Sequence, residues 1–324
     1  MRRAGVAFAL LALAGCGGGG THTVSAASST TAARPTTTAT RPTVPRAAPR
    51  TARGPYRVAQ AVLRLVDRSR TIVFPGGSRQ PRTLVTIVRY PAGRAGSVAR
   101  GPFPLIVFGH GFTQTPGPYS QLLDAWTRAG YVVAAPVFPL ENADAPGGPN
   151  ESDLVNQPQD MSFVITSVLR ARRFAALVDH AEIAVAGHSD GGETALAVAY
   201  DVHVRDQRVR AAVILSGAKI PGYSGFTFPT GSPPLLATQG TADTINPPHF
   251  TLEFFRAARP AKFLLRLLGA GHLPPYTGQQ PQLGVVERVT TGFLDRYLKH
   301  SLAAGHRMGV VGNVAGVAAL TGEP

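Results

Sequence analysis

The chain has 324 residues, 44% apolar and 15% charged, which is enough for one large core. Its single cysteine excludes an intrachain disulfide. The net charge of +14 is not a nucleic-acid signature: seven of the arginines lie in the first 55 residues, and no basic stripe interleaved with aromatics accompanies the rest.

The first sixteen residues read as a leader. Arg2 and Arg3 precede an apolar run, Val6 to Ala14, that is too short to span a bilayer. Leu13-Ala14-Gly15-Cys16 resembles the lipobox of bacterial lipoproteins. The resemblance implies a lipid on Cys16, export, and anchoring to the outer face of the cytoplasmic membrane; an ordinary cleaved leader is the alternative. Residues 17–55 open with four glycines and continue in Thr, Ala, Pro and Arg without acids. Such a stretch buries too little surface to offset its chain entropy, so a disordered tether is expected. Its arginines suit anionic lipid or cell-wall polymer, or merely a solvated linker.

Residues 56–300 form the expected folded domain. Val62 to Asp67 and Thr71 to Phe74 are short and ambiguous, and Leu84 to Tyr90 is a β-branched strand, so antiparallel lead-in strands are expected. Strands and helices then alternate. The strands are Pro104 to Phe108, Tyr131 to Ala135, Ile183 to Ala186, Ala211 to Leu215, Leu235 to Thr238 and Lys262 to Leu268. Helices fall at Tyr119 to Ala129, after an Asp160 cap, after Ser189, after an Asn246 cap, and at Val285 to Leu298. The alternation predicts an α/β class with a mostly parallel, doubly wound sheet. Residues 301–324, rich in Gly and Ala, read as a loosely attached tail.

The chemistry centres on Gly187-His188-Ser189-Asp190-Gly191, a G-x-S-x-G turn between an apolar strand and a helix of small residues. A serine in so tight a turn takes a strained backbone and projects its hydroxyl above the sheet. In a parallel sheet, functional groups gather at the carboxyl ends of the strands. Gly109-His110-Gly111-Phe112 follows one strand, Gly240-Thr241-Ala242-Asp243 another, and Gly271-His272 a third. The chain order is Ser, Asp, His.

These four motifs make residues 80–300 resemble the α/β-hydrolases. The similar branch holds platelet-activating-factor acetylhydrolases, plant chlorophyllases, dienelactone hydrolases and cutinase-like polyester hydrolases. The resemblance implies Ser189 as nucleophile, His272 as general base and Asp243 as its orienting acid. It also implies an oxyanion hole from the backbone N–H groups of Phe112 and Asp190. Phe112 would wall the substrate site. His110 would line the pocket or support the oxyanion loop. His188 reads as a packing residue, Glu193 as held in polar contacts behind the turn.

No cluster has metal-ligand spacing and no Gly-rich phosphate loop follows a strand, so neither metal nor cofactor is expected. Only Ser216 to Ser232 could cover the site, which predicts no large lid and an open cleft. The expected function is serine hydrolysis of short- to medium-chain carboxylic esters by a monomer. A polyester or lipid ester hydrolase is the alternative, and a non-catalytic envelope binding lipoprotein is the reading of another class. Asp190, where cutinase-like enzymes usually carry methionine, and the missing C-terminal disulfide both count against a polyesterase. The loop Pro139 to Gln159 either borders the cleft or is structural.

Overall fold

The computed structural model describes residues 55–93, 97 and 99–324. The leader, Cys16 and almost all of the 17–55 tether lie outside the described residues.

Nine strands form one sheet: β1 (Arg57–Val73), β2 (Arg79–Ala92), β3 (Phe103–Gly109), β4 (Val132–Val137), β5 (Val178–His188), β6 (Val209–Leu215), β7 (Leu235–Gly240), β8 (Lys262–Leu267) and β9 (Ala318–Glu323). Their order is β1-β2-β4-β3-β5-β6-β7-β8-β9. β4, β3, β5, β6, β7 and β8 run parallel, while β1, β2 and β9 are antiparallel to their neighbours. The chain goes from β3 to β4 on one side, then crosses to β5 on the other. That reversal opens a crevice at the carboxyl ends of β3 and β5, where ligands bind in open sheets of this kind.

Both faces of the parallel strands are covered, which is why these strands read as unbroken apolar runs. Side chains alternate across β3 with a period of two. Leu105 and Val107 pack with α2 (Gln157–Arg170) and α3 (Asp190–Tyr200), whereas Ile106 and Phe108 pack with α1 (Ser120–Arg128) and with α6 (Gln282–Leu298), which follows the short α5 (Pro274–Thr277). Two cores therefore clamp the sheet and fix the strand ends.

Several sequence expectations change. The two ambiguous segments near the start are one 17-residue strand, broken only by a register shift between Asp67 and Thr71. There Asp67 accepts from Ser69 N–H (2.9 Å) and pairs with Arg70 (2.7 Å), local bonds that replace the ladder.

Asp160 does not cap α2. The helix begins three residues earlier, and Asp160 turns into the protein to meet Arg82 of β2, whose guanidinium also holds Asp153. Asp153 lies in a 3-10 turn, Glu151–Asn156, so the segment between β4 and α2 is pinned from below. Nor does Asn246 cap the helix that follows it, α4 (Pro248–Ala257); its Nδ2 donates to Ser216 O (2.8 Å).

Residues 301–324 are not a loose tail. They form α7 (Leu302–Val311), capped by Ser301, and then β9. Ala304 and Met308 are buried, and β9 pairs with β8 over six residues, covering what would be a free sheet edge. Small residues suit such close packing, so their abundance misread as looseness.

Among the described residues, no helix or strand interrupts the path from β6 to β7, where a lid domain would sit.

Candidate active site

The turn after β5 is where the chain is most constrained. A Cβ on Gly187 would lie 2.0 Å from Gly191 O, and one on Gly191 would lie 2.2 Å from the backbone of Gly109. No other residue fits at either position. Ser189 takes φ 54°, ψ −124°, a conformation that costs a non-glycine residue about 1–3 kcal/mol and persists only where its surroundings impose it. Those surroundings are the two close glycine contacts and a hydrogen bond from Ser189 N–H to Leu215 O on β6 (3.0 Å).

Ser189 and His272 line the same pocket, of about 50 Å³, with Gly111, Phe112, Gln114, His188 and Leu273. His272 Nδ1 lies 2.7 Å from Asp243 Oδ2. Burial pushes the Asp243 carboxyl up, but the His272 bond and two backbone N–H donors, Ile245 and Asn246 (3.0 Å each), outweigh it and hold the group below its usual range. Asp243 is thus an anion that accepts, so His272 Nδ1 donates and Nε2 is left as the acceptor. Gln239 adds a longer contact to Asp243 (3.3 Å) and binds Asn246 O (3.0 Å), bracing the loop.

The serine hydroxyl is not bonded to His272. Its donor contact is to Asp190 Oδ1, at a long 3.4 Å. Catalytic hydrogen bonds are often loose in unliganded sites and tighten when substrate is bound.

His110 differs from one sequence expectation. It is fully buried and does not line the pocket. Its Nε2 accepts from Phe138 N–H (2.9 Å), so Nδ1 carries the proton and donates to Gly111 O (2.9 Å). Burial holds the ring neutral, pushing its pKa down to about 4. His110 therefore braces the Gly111–Phe112 loop from within the core.

Phe112 does line the pocket, half-buried, and its N–H has no backbone acceptor among the described residues. Asp190 is the first residue of α3, where no carbonyl a turn earlier is available to its N–H.

His188 does more than pack. Its Nε2 donates to the carbonyl oxygen of His272 (3.0 Å), which can only accept. Nδ1 must then accept from Tyr119 OH (2.8 Å), and Tyr119 in turn accepts from Gly111 N–H (3.3 Å). Burial, helped by the neighbouring His272, drives His188 down to about 3, so it stays neutral. One directional chain thus ties the Gly111 loop, the turn and the His272 loop. Tyr119 has no sequence signal that separates it from any other helix-entry aromatic.

Three further carboxyls crowd the turn. Burial, with repulsion from neighbouring acids, raises Asp190 to about 6, Glu193 to about 8 and Glu141 to about 9. Glu141 lies just after β4, in a loop that the sequence marks only as polar.

Residues 84–217 match the family model described as Chlorophyllase. The chain is a hydrolase of the α/β-hydrolase type. The single large, mostly parallel sheet has that fold, with antiparallel strands leading in. The matched stretch includes the Gly111–Phe112 loop and Ser189 and stops before Asp243 and His272. No curated protein matches the chain.

Proposed function

We propose that the protein is a serine hydrolase of carboxylic esters. The observation that carries the reading is a strained Ser189 sharing a pocket with His272, whose far ring nitrogen meets the buried anion Asp243 at 2.7 Å. Ser189 Oγ attacks the ester carbonyl while His272 Nε2 takes its proton. Asp243 keeps the imidazole in the accepting tautomer and stabilises the imidazolium that forms. The Phe112 and Asp190 N–H groups receive the oxyanion; losing one such donor costs roughly 2.7–4 kcal/mol of barrier in comparable sites. His272 returns the proton to the leaving alcohol, and water then hydrolyses the acyl-enzyme by the same steps in reverse order.

An uncovered pocket of this size supports short- to medium-chain esters. Wild type and Ser189→Ala, compared on p-nitrophenyl esters from acetate to palmitate, test both claims. Activity peaking at short chains and lost in the variant is expected; an unchanged rate in the variant overturns the reading.

A second reading, polyester or lipid ester hydrolysis, is favoured by exposed apolar side chains just past Asp243. Ile245 is 67% and Phe250 37% exposed. Clearing of emulsified polyester or tributyrin distinguishes it.

We also propose that Cys16 carries a lipid that anchors the enzyme to the outer face of the cytoplasmic membrane, which rests on the Leu13–Cys16 motif alone. Cys16→Ser should release the protein from the membrane fraction. Retention there would sink the proposal.

A further inference from the structure

Glu141 is fully buried, and neither of its carboxyl oxygens has a hydrogen-bond partner among the described residues. Its backbone oxygen accepts Thr113 N–H (2.7 Å), one residue past Phe112, and the neighbouring Asn142 forms a bridge with Thr113. Thr113 itself has φ 59°, so the Phe112–Thr113 turn is held open by that contact and by His110. Of the charges around it, that of Asp190, the first residue of α3, acts on Glu141 most strongly. A buried, unpartnered carboxyl thus backs the loop that bears one proposed oxyanion donor and lies in the field of the residue that bears the other.

What surrounds Glu141 is acidic. Asp190 lies on α3, with Glu193 one turn behind it; Glu151 and Asp153 lie on the 3-10 turn, where Arg82 of β2 already occupies Asp153. The one neutral partner is Gln157 of α2, whose Oε1 is taken by Thr194 Oγ1 (2.8 Å) and whose amide nitrogen faces Glu141 without reaching hydrogen-bond geometry. Among the described residues no group of acids and histidines has the geometry to hold a metal ion. A carboxylate in such a place is desolvated and repelled, so the neutral acid is the form that the site tolerates.

We propose that Glu141 is a positioning residue for the oxyanion hole: its side chain fills the space behind the Phe112 loop without adding negative charge near the forming oxyanion. This rests on the serine-hydrolase reading above. Ionised Glu141 would repel Asp190, push the two segments apart and oppose the oxyanion directly, in a site where charge is poorly screened.

The test follows the rate of Ser189 labelling by a fluorophosphonate, and ester hydrolysis beside it, from pH 6 to 10.5. Wild type should lose rate as pH rises through about 9, the point at which Glu141 ionises. Glu141→Gln, which keeps the shape of the neutral acid, should hold the rate within about twofold of wild type at pH 7 and move the alkaline loss up by at least about one pH unit. Glu141→Leu should lower kcat by about tenfold or more with KM little changed, since positioning of a transition-state contact is lost. A Gln variant with the wild-type alkaline limb overturns the proposal, as does a Leu variant as active as wild type. If the Leu variant does not fold, the Gln limb decides alone. Absence of labelling in wild type at every pH instead overturns the serine-hydrolase reading, and this proposal with it.

Discussion

His188 Nε2 donates to the carbonyl oxygen of His272 across 3.0 Å, so the residue beside the candidate nucleophile carries the loop of the candidate base. The side chain next in sequence to Ser189 thereby ties the end of β5 to the His272 loop. The His272 carbonyl fixes the tautomer, and Tyr119 OH donates to Nδ1 at the other end of the ring.

Tyr119→Phe removes the only donor to His188 Nδ1 among the described residues and the acceptor of Gly111 N–H, leaving two buried groups unbonded. Each such orphan costs about 1–3 kcal/mol. The urea midpoint should fall, and kcat should fall with it more than KM rises, because both the Gly111 loop and the His272 loop loosen. An unchanged midpoint and kcat would show that the chain of hydrogen bonds does not matter.

Stability should decline as pH rises from about 6.5 to 9, above the range in which the buried neutral His110 and His188 oppose the trend. Glu141, Glu193 and Asp190 are raised to about 9, 8 and 6 in the folded protein, so over this window the native state holds protons that the unfolded chain has released. Where the native state binds more protons, stability falls with increasing pH. Asp67, Asp206 and Asp243 are lowered, and their contribution is lost only on acidification through the usual carboxylate range. The Tm maximum should therefore be mildly acidic. In Glu141→Gln the decline should be shallower; a Tm that is flat or climbing between about pH 6.5 and 9 contradicts the assignment.

Arg82→Ala leaves Asp153 and Asp160 without their shared guanidinium in a site where all three side chains are at most 3% exposed. Breaking a buried pair from one side costs about 3–5 kcal/mol. The low end is expected, because Arg70 still lies 2.8 Å from Asp160. Denaturant unfolding measures the loss. A variant of wild-type stability would mean that water or a shifted Arg70 replaces the guanidinium fully.

Much of the architecture was legible because the parallel strands are buried on both faces and so spell unbroken apolar runs, Leu105 to Phe108 and Ile183 to Ala186 among them. Ser189 was legible for a local reason: its turn needs glycine at 187 and 191, whose missing side chains can be read directly. Asp243 and His272 stood out because loops after strands meet at one sheet end. The C-terminal α7 and β9 were misread because tertiary contacts hold them: β9 pairs with β8, far back in the chain, and Met308 of α7 packs into the core that α6 lines. Asp160 lies inside α2 and Asn246 just before the N-cap of α4, and Arg82 and Ser216 O claim their side chains.

By itself, then, the sequence determined the alternation of strand and helix, the strained serine turn and the order of Ser, Asp and His. Each depends on residues close together in the chain or on a repeated hydrophobic pattern. Only the tertiary structure decided that His110 supports a loop, that His188 bridges to His272, and that Glu141 is buried among acids. Those roles depend on which side chains meet after the sheet closes and on how little water reaches them, and neither is encoded in local spacing.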